Sequence, residues 1–301
     1  MFFVVSRFLL RIYSAASVVK DSFMKRFGIS THLYHGERLK RDHLTEIASH
    51  GFEAVELLAT KSHFDYHDPR TIGALAAWLR EAGLEMPSVH APIVDSLVND
   101  TWGHVYSTAT RDEASWRETM SEMRAALDIA RHIPFTCFVL HLGVPAAQHP
   151  GPLDNNRDAV IRSMEEIHRM AQPLGVNLAL EVMDNKLSTV DALLDLIEND
   201  LDGMNLGICM DVGHAFLLGD TAEAIETAAG YLITTHLHDN KRQRDDHLVP
   251  FQGTIDWAGA VMAFEKIGYD GVLMFEVKNA ETPARVLERS AAARKRLEGF
   301  L

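Results

Sequence analysis

Short apolar segments alternate with longer amphipathic ones along the chain from residue 27 onward. The central short segments are continuously apolar instead of alternating with polar residues. That pattern is typical of parallel strands buried on both faces. It predicts eight strands, at residues 27–31, 54–58, 86–91, 136–142, 177–182, 206–212, 232–238 and 271–277.

The segments between these strands predict helices. In 112–132 and 154–174, apolar residues recur at about 3.6-residue spacing on one face, as in an amphipathic helix. Turn and cap residues agree with this: glycines at 51, 83 and 175 follow helices, and Thr189 and Asp256 precede them. Eight strand–helix pairs without a linker predict an α/β fold, a single-domain (β/α)8 TIM barrel.

Composition narrows the class of protein. The chain has 301 residues, 47% of them hydrophobic, which suits one large domain. Its net charge of −13 argues against general attraction to nucleic acid or an anionic membrane, although a local basic patch stays open. No stretch reaches the roughly 18 to 20 apolar residues that cross a bilayer.

Cys137 and Cys209 lie inside predicted strands, so we expect them to be reduced core residues. Reduced cysteines fit a cytoplasmic protein. A homo-oligomer is possible on this sequence.

Residues 1–23 differ from the rest of the chain. They are apolar, contain Arg7 and Arg11, and have no acidic residue before Asp21. A signal peptide and a targeting presequence are alternatives, but two arginines interrupt the apolar stretch. We therefore expect an N-terminal extension outside the fold at 1–23 and the barrel at 24–301.

Six of the predicted strands end in a side chain that can bind a metal. In a parallel barrel these ends converge on one mouth, where function is found. A ring of imidazoles and carboxylates there predicts a divalent metal site. The six residues are His90, His141, Glu181, Asp211, His236 and Glu276.

Glu181 and Glu276 carry the strongest signal in this series. Each ends an apolar run, where an ionised carboxylate is costly without a partner. A salt bridge at the barrel mouth is the alternative partner. Asp211 and His236 on intervening strands favour a metal, and three carboxylates with one imidazole suit Mn²⁺, Mg²⁺, Co²⁺ or Zn²⁺.

Two local motifs add further candidates. In Asp211-Val-Gly-His214 the spacing lets both side chains face one centre, with helix capping as the alternative for His214. In the segment 235–257, His236 and His238 point to the same side of a strand, so one is expected to be a ligand and the other its neighbour. The following loop is rich in polar residues, of which we single out Arg242, Asp245 and His247.

Taken together, these motifs resemble the xylose isomerase-like barrel superfamily over residues 27–298, in particular its sugar phosphate isomerase/epimerase group, a relative of endonuclease IV. In isomerases and epimerases the resemblance implies one metal at Glu181, Asp211, His236 and Glu276, proton transfer by the two glutamates, and substrate contacts from His214 and Arg242. In endonuclease IV it implies three zinc ions that also use His90, His141, His214, Asp245 and His247. One departure is Phe251-Gln252-Gly253, where many relatives read Gly-x-Gly.

The function expected from these residues is a metal-dependent sugar, sugar phosphate or polyol ketone isomerase or epimerase. Glu181 and Glu276 would transfer protons through a metal-stabilised enediolate. The alternative is an endonuclease IV-like phosphodiesterase that binds three Zn²⁺ and cuts abasic DNA; a sugar-binding protein without turnover is a third. The loop 60–71, with Phe64, Tyr66 and Arg70, fits closure over a sugar or probing of DNA.

Overall fold

The computed structural model describes residues 26–98 and 101–301, and the predicted extension at 1–23 lies outside them. Each predicted strand is present within two residues of its expected bounds. The barrel strands are β1 (Phe27–Ser30), β2 (Ala54–Leu58), β3 (Glu85–His90), β6 (Cys137–Leu140), β7 (Asn177–Glu181), β8 (Leu206–Asp211), β9 (Leu232–His236) and β10 (Leu273–Phe275). A short hairpin, β4 (Leu97–Val98) with β5 (Thr101–Trp102), follows β3.

The eight barrel strands form one parallel sheet in the order β10-β1-β2-β3-β6-β7-β8-β9. The two edge strands meet directly after β9, where the Leu237 N–H donates to the Met274 carbonyl over 2.7 Å. The Glu276 N–H donates back to the Leu237 carbonyl over 3.1 Å. The sheet is therefore closed, and the predicted single-domain (β/α)8 barrel is confirmed.

Helices surround this barrel. They are α1 (Arg41–Ser49), α2 (Pro69–Ala82), α3 (Glu113–Leu127), α4 (Arg157–Ala171), α5 (Val190–Asp195), α6 (Val212–Leu218), α7 (Thr221–Thr227), α8 (Trp257–Lys266) and α9 (Pro283–Glu298). The predicted helices at 112–132 and 154–174 each end in a 3₁₀ turn, Asp128–Arg131 and Gln172–Leu174. Pro173 explains the second, because proline lacks the N–H that would continue an α-helix.

The predicted caps are confirmed. Gly83 and Gly175 have φ of 68° and 71°, the left-handed backbone that glycine adopts without cost. Thr189 and Asp256 accept backbone N–H groups at the starts of α5 and α8. These caps set where each helix ends and the chain turns back into the barrel.

Two predictions from composition also bear on the fold. Cys137 and Cys209 are buried and unpaired, as expected for core residues; the cytoplasmic location stays a prediction. Within the described ranges 26–98 and 101–301, no helix has the length and apolar character to cross a membrane.

Candidate metal centre at the barrel mouth

The residues predicted at the strand ends meet at one mouth of the barrel. Glu181, Asp211, His236 and Glu276 are all buried, and each offers one ligand atom within 4.8 Å of the others. Nδ1 of His236 lies 3.2 Å from Glu181 Oε1 and 3.5 Å from Glu276 Oε2. We call these four residues the central group.

A second group shares Glu181 with the central group. His90 and His141 approach the other carboxylate oxygen, Oε2, with Nε2 atoms at 3.2 Å and 3.1 Å. One oxygen of Glu181 thus faces the central group and the other faces two imidazoles. Glu181 could therefore contribute one oxygen to each of the two groups.

A third group consists of His214, His238, Asp245 and His247. Asp245 Oδ2 lies 3.2 Å from Nε2 of His214 and 2.9 Å from Nε2 of His247. Both rings turn their Nδ1 toward a backbone carbonyl: His214 toward Val182 at 3.0 Å and His247 toward Glu276 at 3.0 Å. In the tautomer with the proton on Nδ1, each ring donates this proton to its backbone carbonyl. The Nε2 atoms of both rings then carry free lone pairs beside Asp245, which a metal ligand requires.

Asp211 has two local roles because it ends β8 and starts α6. Its Oδ1 accepts the backbone N–H of His214 over 2.7 Å, so Asp211 is the N-cap of α6. The alternative interpretation of His214 as a helix cap is therefore wrong. The cap places the His214 ring over the mouth, facing Asp245.

His236 and His238 have different surroundings, and the assignment of one as ligand and the other as its neighbour stays a prediction. His238 Nε2 lies 3.0 Å from Asp211 Oδ1, and its Nδ1 has no hydrogen-bond partner. The tautomer with the proton on Nε2 fits these surroundings, because Nε2–H can donate to Asp211. The other tautomer would bury an Nδ1–H without an acceptor, which is costly. His238 is thus placed to orient Asp211, although it also belongs to the third group.

The pKa values of two carboxylates at the mouth, Glu181 and Asp245, are lowered, which favours their ionised forms. Burial acts to raise the pKa of Glu181, but the charges of His141 and His236 outweigh burial and hold that pKa well below its usual range. Burial likewise opposes charge on Asp245, yet His247 and His214 keep its pKa well below normal. Positive charge on these imidazoles thus offsets the negative charge of the carboxylates, a task that a bound cation would share.

The donor chemistry of the central group fits a divalent cation. Three carboxylates and one imidazole, all buried and facing one point, form the oxygen-rich set that Mn²⁺, Mg²⁺, Co²⁺ and Zn²⁺ accept. The second group offers two imidazoles and a carboxylate, and the third offers its own carboxylate and imidazoles, which are typical zinc ligands.

A cavity of about 400 Å³ opens above these ligands. Seven of the predicted site residues line it: His90, His141, Glu181, His214, Asp245, His247 and Glu276. The hairpin residues Leu97 and Trp102 form an apolar part of its wall, whereas Arg244 and Lys278 contribute basic groups. Another groove, of about 500 Å³, lies beside α2 and contains none of the three ligand groups, so the candidate site is the mouth.

The three side chains singled out in the loop 60–71 lie away from this cavity. Phe64 and Tyr66 in the loop 60–71 are each 2% exposed and belong to the core, so neither is free to close over a ligand or enter DNA. Arg70 is exposed and paired with Asp68. The loop therefore favours neither a sugar nor DNA.

Arg242 and Phe251 also point elsewhere. The Arg242 guanidinium lies over the Phe216 ring and donates to the Gly219 carbonyl over 2.9 Å. Phe251 has a φ of 74°, the backbone for which glycine is suited, and its ring lies beside Trp257 and Phe300. Among the described residues that line the cavity, none comes from 251–253, so this departure from the family pattern contributes no side chain to the wall.

Sequence reasoning missed one carboxylate at this site. Glu56 is 0% exposed in the middle of β2, and its Oε1 lies 2.9 Å from Nε2 of His236. The available signal was a lone glutamate inside the apolar run AVELL. It was overlooked because it does not end its strand.

The fold and the three ligand groups define a TIM barrel with a candidate metal centre at its mouth. Residues 44–298 match the family described as xylose isomerase-like TIM barrel. The chain belongs to this family, in agreement with the resemblance seen in its motifs.

Three relatives illustrate what this chain is similar to. A solved D-tagatose 3-epimerase-like protein is 26% identical with a TM-score of 0.73, and the match covers 91% of this chain and 96% of that one. An uncharacterised protein of Methanocaldococcus jannaschii is 29% identical over 84% of each chain. The inosose isomerase of Bacillus velezensis is 23% identical, and the match covers 81% of this chain and 84% of the isomerase.

Proposed function

We propose that this chain is a divalent-metal-dependent isomerase or epimerase of sugars or polyol ketones. The observation that carries the proposal is the meeting of Glu181 and Glu276 in one buried group with Asp211 and His236. Two carboxylates beside a carbon bound in the cavity are what removal and return of a proton require.

The residues have separate tasks in this reaction. Glu181, Asp211, His236 and Glu276 would hold one metal ion, which supplies positive charge to polarise the carbonyl of a bound substrate. One glutamate removes the proton from the carbon beside that carbonyl, and the other returns a proton to the opposite face or to the neighbouring carbon. His141 and His247 line the cavity and would contact substrate hydroxyl groups.

The cavity and the relatives support a small substrate. A volume of about 400 Å³ lies in the range of small-molecule sites and suits a monosaccharide or cyclic polyol. The relatives include an inosose isomerase and a D-tagatose 3-epimerase-like protein. The basic residues Arg244 and Lys278 at the wall leave both plain and phosphorylated sugars as candidates.

The test is hydrogen exchange in deuterated water. Metal-free protein is loaded in turn with Mn²⁺, Co²⁺, Mg²⁺ or Zn²⁺ and incubated with ketohexoses, their phosphates and an inosose. The proposal expects deuterium at the carbon beside the carbonyl, detected by NMR, together with a new isomer or epimer. No exchange on any of these substrates at saturating metal would contradict it.

A second candidate function rests on a specific observation. The second and third ligand groups adjoin the central one, with Glu181 shared and Asp245 facing His214 and His247. This arrangement also suits an endonuclease IV-like phosphodiesterase with three Zn²⁺. Incubation of the zinc-loaded protein with an abasic DNA duplex separates the two functions, since cleavage without sugar exchange would favour the nuclease.

A further inference from the structure

Glu56 is a buried carboxylate that the proposed proton transfer does not use. It lies in the middle of β2, paired in register with Ser88 of β3. The Ser88 hydroxyl donates to Glu56 Oε2 over 2.8 Å, and both side chains are buried. Because Leu58 pairs with His90 and strand side chains alternate, Glu56 lies one interior layer below the ligands at the mouth.

The other oxygen of Glu56 reaches across the barrel to His236. Oε1 lies 2.9 Å from Nε2 of this ring, while Nδ1 faces Glu181 and Glu276. The two nitrogens of one imidazole thus have different partners. An imidazole that binds a metal through Nδ1 keeps its proton on Nε2, where Glu56 is placed to accept it.

We propose that Glu56 is a positioning residue for the metal, holding the His236 ring in one orientation and in the tautomer with the proton on Nε2. The negative charge of Glu56 also makes Nδ1 a stronger ligand, as carboxylates behind metal-bound histidines do. The inference rests on the metal site of the proposed function, but not on the substrate or on the reaction.

The experiment measures metal binding directly. Co²⁺ is titrated into the metal-free wild-type protein and into the Glu56→Gln variant, and its visible absorption is recorded. The substitution keeps the shape of the side chain but removes its charge. We expect a rise of about 10- to 100-fold in the Co²⁺ dissociation constant, and a changed absorption band at saturating Co²⁺.

Glu122→Gln is the matched control. Glu122 is also a buried carboxylate, but it lies on α3 and pairs with Lys61 over 2.8 Å, outside the three ligand groups. Its substitution should leave the dissociation constant and the absorption band unchanged. The control separates loss of a buried charge from loss of the contact to His236.

A second variant covers the case in which Glu56→Gln does not fold. Ser88→Ala leaves the carboxylate in place and removes the hydroxyl that orients it, so Co²⁺ binding should weaken in the same direction. If Glu56→Gln folds and its Co²⁺ affinity is unchanged, the role of Glu56 is overturned while the metal site stands. If Glu56→Gln does not fold, an unchanged affinity in Ser88→Ala has the same meaning. Wild-type protein that binds no Co²⁺ would overturn the proposed metal site as well.

Discussion

Glu181 and Glu276 present carboxylate oxygens within 4.8 Å of each other, although the strands they end are not neighbours in the barrel. Closure of the sheet brings β7 and β10 to one mouth, with β8 and β9 between them. Asp211 and His236 come from these intervening strands. The two glutamates therefore reach the central group from strands on either side of Asp211 and His236, as the proposed proton transfer at one carbon would require.

Replacing either glutamate tests this relationship. Glu181→Gln and Glu276→Gln each remove a proton carrier and a negative ligand, so we expect turnover to fall by at least about 100-fold. The measurement is deuterium exchange at saturating metal. Glu198→Gln is the control, because Glu198 lies outside the ligand groups and bonds to Tyr231. Near wild-type exchange in either site variant would count against proton transfer by the glutamates.

His247→Ala distinguishes one bound metal from three. In an isomerase, one metal per chain should remain and KM should rise about tenfold, equivalent to about 1.4 kcal/mol of lost substrate binding. In a nuclease the count should fall from three zinc ions to two. Elemental analysis gives the count, and His104→Ala, an exposed histidine paired with Glu118, is the control. A fall in the count would argue for the nuclease.

Asp239 anchors the loop that carries Asp245 and His247. Its buried carboxylate accepts four donors: the backbone N–H groups of Asn240, Phe251 and Ile255, and the indole N–H of Trp257. Asp239→Asn places an amide against these donors, so the free energy of unfolding should fall by about 3 kcal/mol. Urea denaturation measures it.

The control for this substitution lies in the same loop. Asp256 caps α8 through the Gly259 N–H, and asparagine caps helices equally well, so Asp256→Asn should be nearly neutral. Equal stability of the two variants would contradict the anchoring role of Asp239.

Position 213 needs a glycine because the His238 ring packs directly against its Cα, and not because its backbone angle is unusual. A Cβ built on Gly213 would lie 2.0 Å from Cε1 of His238. Gly213→Ala must therefore displace the ring that orients Asp211, and we expect lower stability and weaker Co²⁺ binding.

Gly73 provides the comparison. It lies in α2 with nothing within 4 Å of a built Cβ, so Gly73→Ala should stabilise the protein by about 0.5–1 kcal/mol. The two variants are compared by urea denaturation and Co²⁺ titration. If Gly213→Ala behaves like Gly73→Ala in both, the packing of His238 does not constrain this position.

The pH dependence of stability should depend in part on Glu122. Burial acts to raise its pKa, but hydrogen bonds from Lys61 and Tyr66 outweigh burial and hold the pKa below the usual 4.5. A lowered folded pKa means that the stabilisation is present above pH 4.5 and is lost as the pH falls through the folded value. Glu122→Gln should cost about 1.5–3 kcal/mol at pH 7.

Denaturation at two pH values checks this expectation. The difference between wild type and Glu122→Gln, measured at neutral pH and again well below pH 4.5, should shrink at the lower pH as the wild-type carboxylate loses its charge. A difference that is constant with pH would show that the ionised form of Glu122 is not what stabilises the fold.

Local pattern was enough to predict the strands, the main helices and the residues at the strand ends. A run such as LALE or LMFE is apolar because both faces of the strand are buried, and its terminal glutamate is polar because it reaches the mouth. Once the barrel is inferred, every strand end points to one face, so Glu181, Asp211, His236 and Glu276 could be grouped from the sequence.

Tertiary structure decided which of these side chains meet and what supports them. Glu56 contacts His236 because β2 and β9 lie across the interior of a closed barrel, a relationship that no local spacing encodes. Burial of Phe64 and Tyr66, and the direction of Arg242 toward Phe216, likewise depend on how loops pack against distant elements. Periodicity reports the face on which a residue lies, whereas its partner depends on strand order, closure and side-chain direction, which arise only when the whole barrel forms.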